Sequence, residues 1–171
     1  MRISRSWLLF ALPLAVLSGH ASTQEPAQSL TEHKIAELRA ASAAALSPDG
    51  ARIAYLLAVP RKPGVDDDGS SWTELHVVDV AGGRTRPFIT GKNDISRLGW
   101  TKDGSGITFL AKRGDDKQTA LYLLPLDGGE ARRAVALKGG IASYDFSPDG
   151  KRVVCIASPP EDEAKKKAKE K

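Results

Sequence analysis

An all-β fold made of repeated four-stranded units is what this sequence predicts, and three observations predict it. A turn recurs as Ser47-Pro48-Asp49-Gly50, Thr101-Lys102-Asp103-Gly104 and Ser147-Pro148-Asp149-Gly150, each copy followed by an apolar, β-prone run. A second segment, Leu75-His76-Val77-Val78-Asp79-Val80-Ala81-Gly82-Gly83, returns as Leu121-Tyr122-Leu123-Leu124-Pro125-Leu126-Asp127-Gly128-Gly129. The offset from Leu75 to Leu121 is 46 residues, the same as that from Thr101 to Ser147. A fixed period with matched turn chemistry marks a repeated structural unit. A four-stranded unit of ~40–50 residues is the blade of a β-propeller.

The recurrent turn reads as the joint of a β-hairpin. Proline presets φ for the first central position of a type I turn, Asp tolerates the next, and Gly takes the left-handed conformation that closes the hairpin with a bulge. The Gly-Gly segment reads as an apolar strand running into a second turn, with a short further strand after it. Joining the two gives blades at residues 43–90 and 95–136, and a third, at 141–158, that has two strands. The interval from Ser47 to Thr101 is longer, 54 residues, because residues 60–71 insert a loop rich in Pro, Gly and Asp. In the run Ile53-Ala54-Tyr55-Leu56-Leu57-Ala58 both alternating faces are apolar. That pattern predicts a strand sandwiched between neighbouring blades. A two-sheet sandwich also uses short strands at this spacing, but without a fixed period of matched turns.

Propellers use ~4–8 blades, more chain than residues 43–171 supply at this period. A terminal blade without its neighbour would expose roughly 400 Å² of apolar face, which at about 25 cal/mol/Å² forfeits roughly 10 kcal/mol, as much as the whole net stability of an ordinary domain. The expectation is that the chain is the front part of a longer protein, or that a partner supplies the missing blades.

At the N-terminus, Arg2 and Arg5 precede an apolar stretch at residues 7–17, followed by Ser18-Gly19-His20-Ala21. This is the pattern of a secretory signal peptide, residues 1–21, whose apolar core is too short for a comfortable membrane span. The mature chain is therefore expected to be exported, to the periplasm or the outside of the cell, with no membrane span after cleavage. Residues 22–42 read as a polar linker and a short helix at residues 30–41. Thr31 would cap that helix, and Ile35 with Leu38 would form a narrow apolar stripe. Residues 159–171 hold Glu161, Asp162, Glu163 and Glu170 against five lysines, with no apolar residue larger than Ala; a solvated loop or fraying helix is expected there.

Composition excludes some functions. The chain has 41% hydrophobic and 27% charged residues, within the globular range. Its formal charge of +4 would fall to +2 on loss of Arg2 and Arg5. The remaining basic residues alternate with acids and form no aromatic-interleaved patch, so no nucleic-acid partner is implied. The single Cys155 rules out an internal disulfide, and its place in a predicted buried strand suggests an inert thiol. There is no Gly-x-Ser-x-Gly elbow, Gly-x-Gly-x-x-Gly loop, Walker loop, Cys-x-x-Cys or His-Glu-x-x-His. Of the three histidines, His20 would leave with the signal, His33 lies on the predicted helix, and His76 sits on a strand where the next repeat has Tyr122. Asp49, Asp103 and Asp149 recur with the turn, so turn geometry is their expected role, and as members of separate blades they would not converge on a metal. No catalytic, cofactor-binding or metal-binding residue is assigned from the sequence, and no cofactor is expected.

Several of these segments, in this order, resemble a known family. SPDGARIAYL (Ser47 to Leu56), LHVVDVAGG (Leu75 to Gly83), LYLLPLDGGEAR (Leu121 to Arg132) and SPDGKRVVCI (Ser147 to Ile156), behind a signal peptide and short helix and ahead of a charged tail, are similar to the N-terminal propeller of prolyl oligopeptidase family serine peptidases, most closely the acylaminoacyl-peptidase-like branch. The resemblance implies a propeller of seven or eight blades followed in cis by an α/β-hydrolase domain with Ser, Asp and His in that order. In such an enzyme the propeller limits access to short peptides. The catalytic motif is not in this sequence, so no catalytic residue carries over. The second turn departs from the pattern with Thr101-Lys102 in place of Ser-Pro. TolB propellers also use the Ser-Pro-Asp-Gly turn, which leaves a periplasmic protein-binding module as the alternative. A small adaptor that assembles blades between subunits is a third reading.

Overall fold

A computed structural model describes residues 37–160 together with Lys34. Among the described residues, ten strands form three antiparallel sheets. The first sheet holds β1 (Ala40–Leu46), β2 (Arg52–Val59), β3 (Trp72–Asp79) and β4 (Thr85–Ile89) in sequential order. The second repeats that order with β5 (Ile95–Trp100), β6 (Gly106–Ala111), β7 (Ala120–Pro125) and β8 (Arg132–Val135). The third pairs β9 (Ile141–Phe146) with β10 (Val153–Ala157). These are the strands expected from the repeat, and the 60–71 insertion lies between β2 and β3. β1 and β2 pack on β5, and β6 packs on β9, so the first strand of the second sheet lies closest to the first sheet. Sheets fanned about their first strands are the arrangement of propeller blades.

The three hairpin turns are built alike. Gly50, Gly104 and Gly150 have φ of 71°, 70° and 68°. Each donates its N–H to the carbonyl three residues back, at Ser47, Thr101 and Ser147. Only glycine takes that left-handed conformation without strain, which is why the turn's last position does not vary.

Two apolar clusters fill the spaces between sheets. Ala54, Leu56, Leu75 and Val77 of the first sheet meet Ile107, Phe109, Tyr122 and Leu124 of the second. Leu110 and Leu121, on the opposite face of the second sheet, meet Ile141 of the third. β6 is consequently buried at every residue. The expectation for β2 is corrected here: Ala54 and Leu56 are buried, but Ile53, Tyr55 and Leu57 on the other face remain half-buried, because no described residue packs a second sheet there. Cys155 is likewise half-buried rather than interior, and its neighbours Val154 and Ile156 are 65% and 67% exposed.

The sheets are also tied by hydrogen bonds to threonines one repeat apart, through a different atom of each. Thr73 Oγ1 accepts the Ile95 N–H at 2.5 Å, and the Thr119 carbonyl accepts the Ile141 N–H at 2.9 Å. Trp100 Nε1 donates to the Ala45 carbonyl at 2.9 Å, across the first interface.

The helix expected at residues 30–41 cannot reach its predicted end. Ala40 already pairs with Ala58 and Ala41 with Leu57, so the chain is extended from Ala40, and the first blade starts three residues before its expected boundary. β-Pairing here overrides the helix propensity of an alanine-rich run. Lys34 is helical and Glu37 lies in a turn; residues 30–33, 35 and 36 of the expected helix, the expected signal peptide and linker at residues 1–29, and the tail from residue 161 lie outside the described residues.

Candidate functional site

The edge of β5 is the least regular part of the second sheet. Ser96 pairs with Leu110 and Gly99 with Thr108, so Arg97 and Leu98 together face a single residue, Phe109, in a β-bulge. β1 has a shift between Ala41 and Ala43, and the β9–β10 pair has one between Ile156 and Ala157. The bulge near the start of the first strand is thus a feature of every blade described. What differs in the second blade is the residue there: Arg97 has φ of 52°, the positive-φ non-glycine among the described residues. A left-handed conformation in a residue with a long side chain is a strained one.

Neighbouring residues hold this conformation. Tyr144 from β9 donates its hydroxyl proton to the Arg97 carbonyl at 2.8 Å and lies 2.8 Å from Thr108 Oγ1. Burial pushes the Tyr144 hydroxyl up to about 12, so it stays protonated and able to donate. Gly99 leaves the space the phenol occupies, since a Cβ there would stand 3.1 Å from the Tyr144 oxygen and 3.2 Å from Thr108 Oγ1. Arg97 Nε donates to the Ala142 carbonyl at 3.3 Å, which aims the guanidinium along the cleft between the second and third blades. This arrangement is not announced by the sequence. Its only local signal is Gly99 inside a strand pattern, a position that suggests a bulge or a close approach.

Antiparallel order puts the β2–β3 and β6–β7 loops at one end of their sheets, opposite the recurrent turns. Both loops are organised by charge. In the first, Arg61 donates to the carbonyls of Ser70 and Asp67 and stacks over Trp72, 3.7 Å from the ring centroid. Asp66 accepts the Lys62 N–H and the Lys92 ammonium, which hold its carboxyl below the usual range. In the second, Asp116 accepts from the Tyr122 hydroxyl, the Arg133 guanidinium and the Arg113 N–H. Its carboxyl is held low, first by Tyr122 and then by Arg133. The inserted loop is therefore a structured element of the rim.

His76 and the turn aspartates are placed structurally. The His76 ring stacks on Tyr55 at 5.4 Å and meets Glu74 Oε2 at 3.1 Å. Burial pushes the Glu74 carboxyl up, but His76, the Gly91 N–H and Arg39 outweigh it and hold the group below its ordinary value. Asp49, Asp103 and Asp149 each accept the N–H two residues on, at Ala51, Ser105 and Lys151. They lie in three separate turns. Among the described residues, no group of three or more His, Cys, Asp or Glu side chains could hold a metal ion. His33 lies outside the described residues.

Comparison with known proteins gives the fold its context. No protein-family model matches the chain. It is 30% identical over 114 residues to the uncharacterized peptidase YuxL of Bacillus subtilis, covering 66% of this chain and 16% of that protein. It is 28% identical over 158 residues to dipeptidyl-peptidase 5 of Porphyromonas endodontalis, covering 88% of the chain and 22% of that protein. A TolB homolog of Chlorobium luteolum is 28% identical over 114 residues, covering 67% of the chain and 23% of that protein. The chain thus spans about a fifth of the length of the curated relatives it matches. Among solved structures, Pyrococcus horikoshii acylaminoacyl peptidase superposes with a TM-score of 0.58 at 17% identity, over 75% of this chain and 19% of that one. The β-propeller domain of the trilobed protease from Pyrococcus furiosus gives 0.54 at 15% identity, over 71% and 34%.

Repeated four-stranded sheets, fanned about bulged first strands and sharing a fold with a propeller domain, define a β-propeller protein. Within that class the chain is similar to proteins named as peptidases, a similarity that supports the propeller of a prolyl oligopeptidase family peptidase.

Proposed function

We propose that these blades belong to an exported serine peptidase. In this reading the propeller stands over an α/β-hydrolase domain, supplied in cis, and admits short peptides to it. The observation that carries the reading is sequence similarity to two proteins named as peptidases, one of which matches along 88% of the chain. The ordered, charged loops at one rim suit a surface that meets another domain or screens what enters. Export, to the periplasm or beyond the cell, rests on Arg2, Arg5 and the apolar stretch at residues 7–17, and the TolB-like relative is consistent with it.

A fluorophosphonate probe tests this reading, because it labels serine hydrolases covalently at the activated nucleophile. Applied to the native host, it should label a protein whose tryptic peptides include those of residues 37–160. Recovery of those peptides only from an unlabelled protein would contradict the proposal. The similarity to the TolB homolog favours the second reading, a propeller that acts by protein contacts. The same unlabelled result is what that reading expects.

A further inference from the structure

We infer that Arg97 is a carboxylate-binding residue, set in the cleft between the second and third blades to hold the C-terminus of a short peptide. The inference rests on the peptidase reading for the identity of the ligand, and on geometry for the site. The bulge by itself is architectural, since it recurs in the other blades. A left-handed arginine is not required by it. Strain that neighbouring residues actively maintain points to a side chain whose direction matters. Tyr144, Thr108 and the side-chain-free Gly99 supply that maintenance.

The surroundings suit a peptide carboxylate. Arg97, Leu98, Trp100, Lys102, Tyr144 and Phe146 line a cavity of about 250 Å³. That volume accommodates a terminal residue rather than a whole peptide. The guanidinium is exposed, only its Nε is engaged, and its terminal nitrogens meet no acceptor among the described residues. Lys102 adds a second positive charge. Asp145 also lines the cavity, but its carboxylate already accepts the Phe146 N–H at 2.7 Å. Two cations against one engaged anion favour a negative guest, and the planar guanidinium fork matches a carboxylate. Leu98, Tyr144 and Phe146 offer apolar contact to the side chain of the terminal residue.

The test measures binding of the tripeptide Ala-Ala-Phe, as free acid and as C-terminal amide, to the full protein after fluorophosphonate treatment, so that turnover does not consume the ligand. Calorimetry should show the acid bound about tenfold more tightly than the amide, the gain expected of one charge-assisted contact. Arg97→Gln should bring the ratio close to one by weakening the acid far more than the amide. Arg97→Gly should do the same while keeping the backbone conformation, which glycine adopts freely, so loss of folding does not confuse the result. Equal binding of acid and amide by the unaltered protein, or a preference that survives either substitution, overturns the inference. A protein that the probe does not label but that still prefers the acid through Arg97 would remove the peptidase reading and leave this site standing.

Discussion

At the scale of the residue, the hydroxyl that opens each turn matters more than the proline beside it. The Ser47 carbonyl is occupied by the Gly50 N–H, so the N–H of Arg52, which would otherwise pair with it, goes to Ser47 Oγ at 2.9 Å. Ser147 Oγ accepts the Arg152 N–H at 3.0 Å in the same way, and Thr101 Oγ1 the Gly106 N–H at 2.9 Å. The departure at Thr101-Lys102 therefore keeps the essential group and loses only the preset φ of proline. Thr101→Val should cost about 1–3 kcal/mol in denaturant unfolding of the full chain, the penalty for an orphaned amide. Thr101→Ser should cost well under 1 kcal/mol.

Asp103 titrates in the same turn. The Thr101 hydroxyl, the Ser105 N–H and the Ser105 hydroxyl lower its carboxyl from 3.8 to about 2. A folded-state value below the unfolded one contributes stability that is complete above the unfolded value and lost as pH falls toward the folded one. The Tm advantage of the unaltered protein over Asp103→Asn should therefore shrink between about pH 4 and about pH 2. A constant difference across that window would contradict the assignment. These turn residues were legible in the sequence because glycine, aspartate and hydroxyl chemistry is local. The Arg97 bulge was not, because it depends on Tyr144, 47 residues away, and no residue type announces it.

At the scale of the element, strand order and turn positions followed from the repeat, whereas burial did not. An apolar strand with two apolar faces is the same string whether one or two sheets cover it. β6 has both faces covered and β2 has one. Phe109, fully buried and stacked on Tyr122 at 5.8 Å, lies where the first two sheets meet. Phe109→Ala should cost about 3–5 kcal/mol by chemical denaturation. The start of β1 was misread for a related reason. An alanine-rich run is compatible with either state, and the long-range pairing of Ala40 with Ala58 decides it.

At the scale of the molecule, the outer face of β10 bears on what the chain belongs to. Val154 and Ile156 stand uncovered among the described residues, on an apolar strand that a further blade would cover. In the intact protein of the proposed kind, Ile156→Ala should cost about 2–5 kcal/mol, as deletion in a covered core does. A cost below about 0.5 kcal/mol would mean that no blade packs there. The resemblance to peptidase propellers was legible from the order of motifs along the chain. The catalytic groups were not, because the proposed chemistry lies outside this sequence.

Reading the native gene through and beyond the codon for Lys171 tests the central claim most directly. The peptidase account predicts further blades, then a Gly-x-Ser-x-Gly turn, then Asp and His in that order. Further blades with no hydrolase domain after them would contradict it.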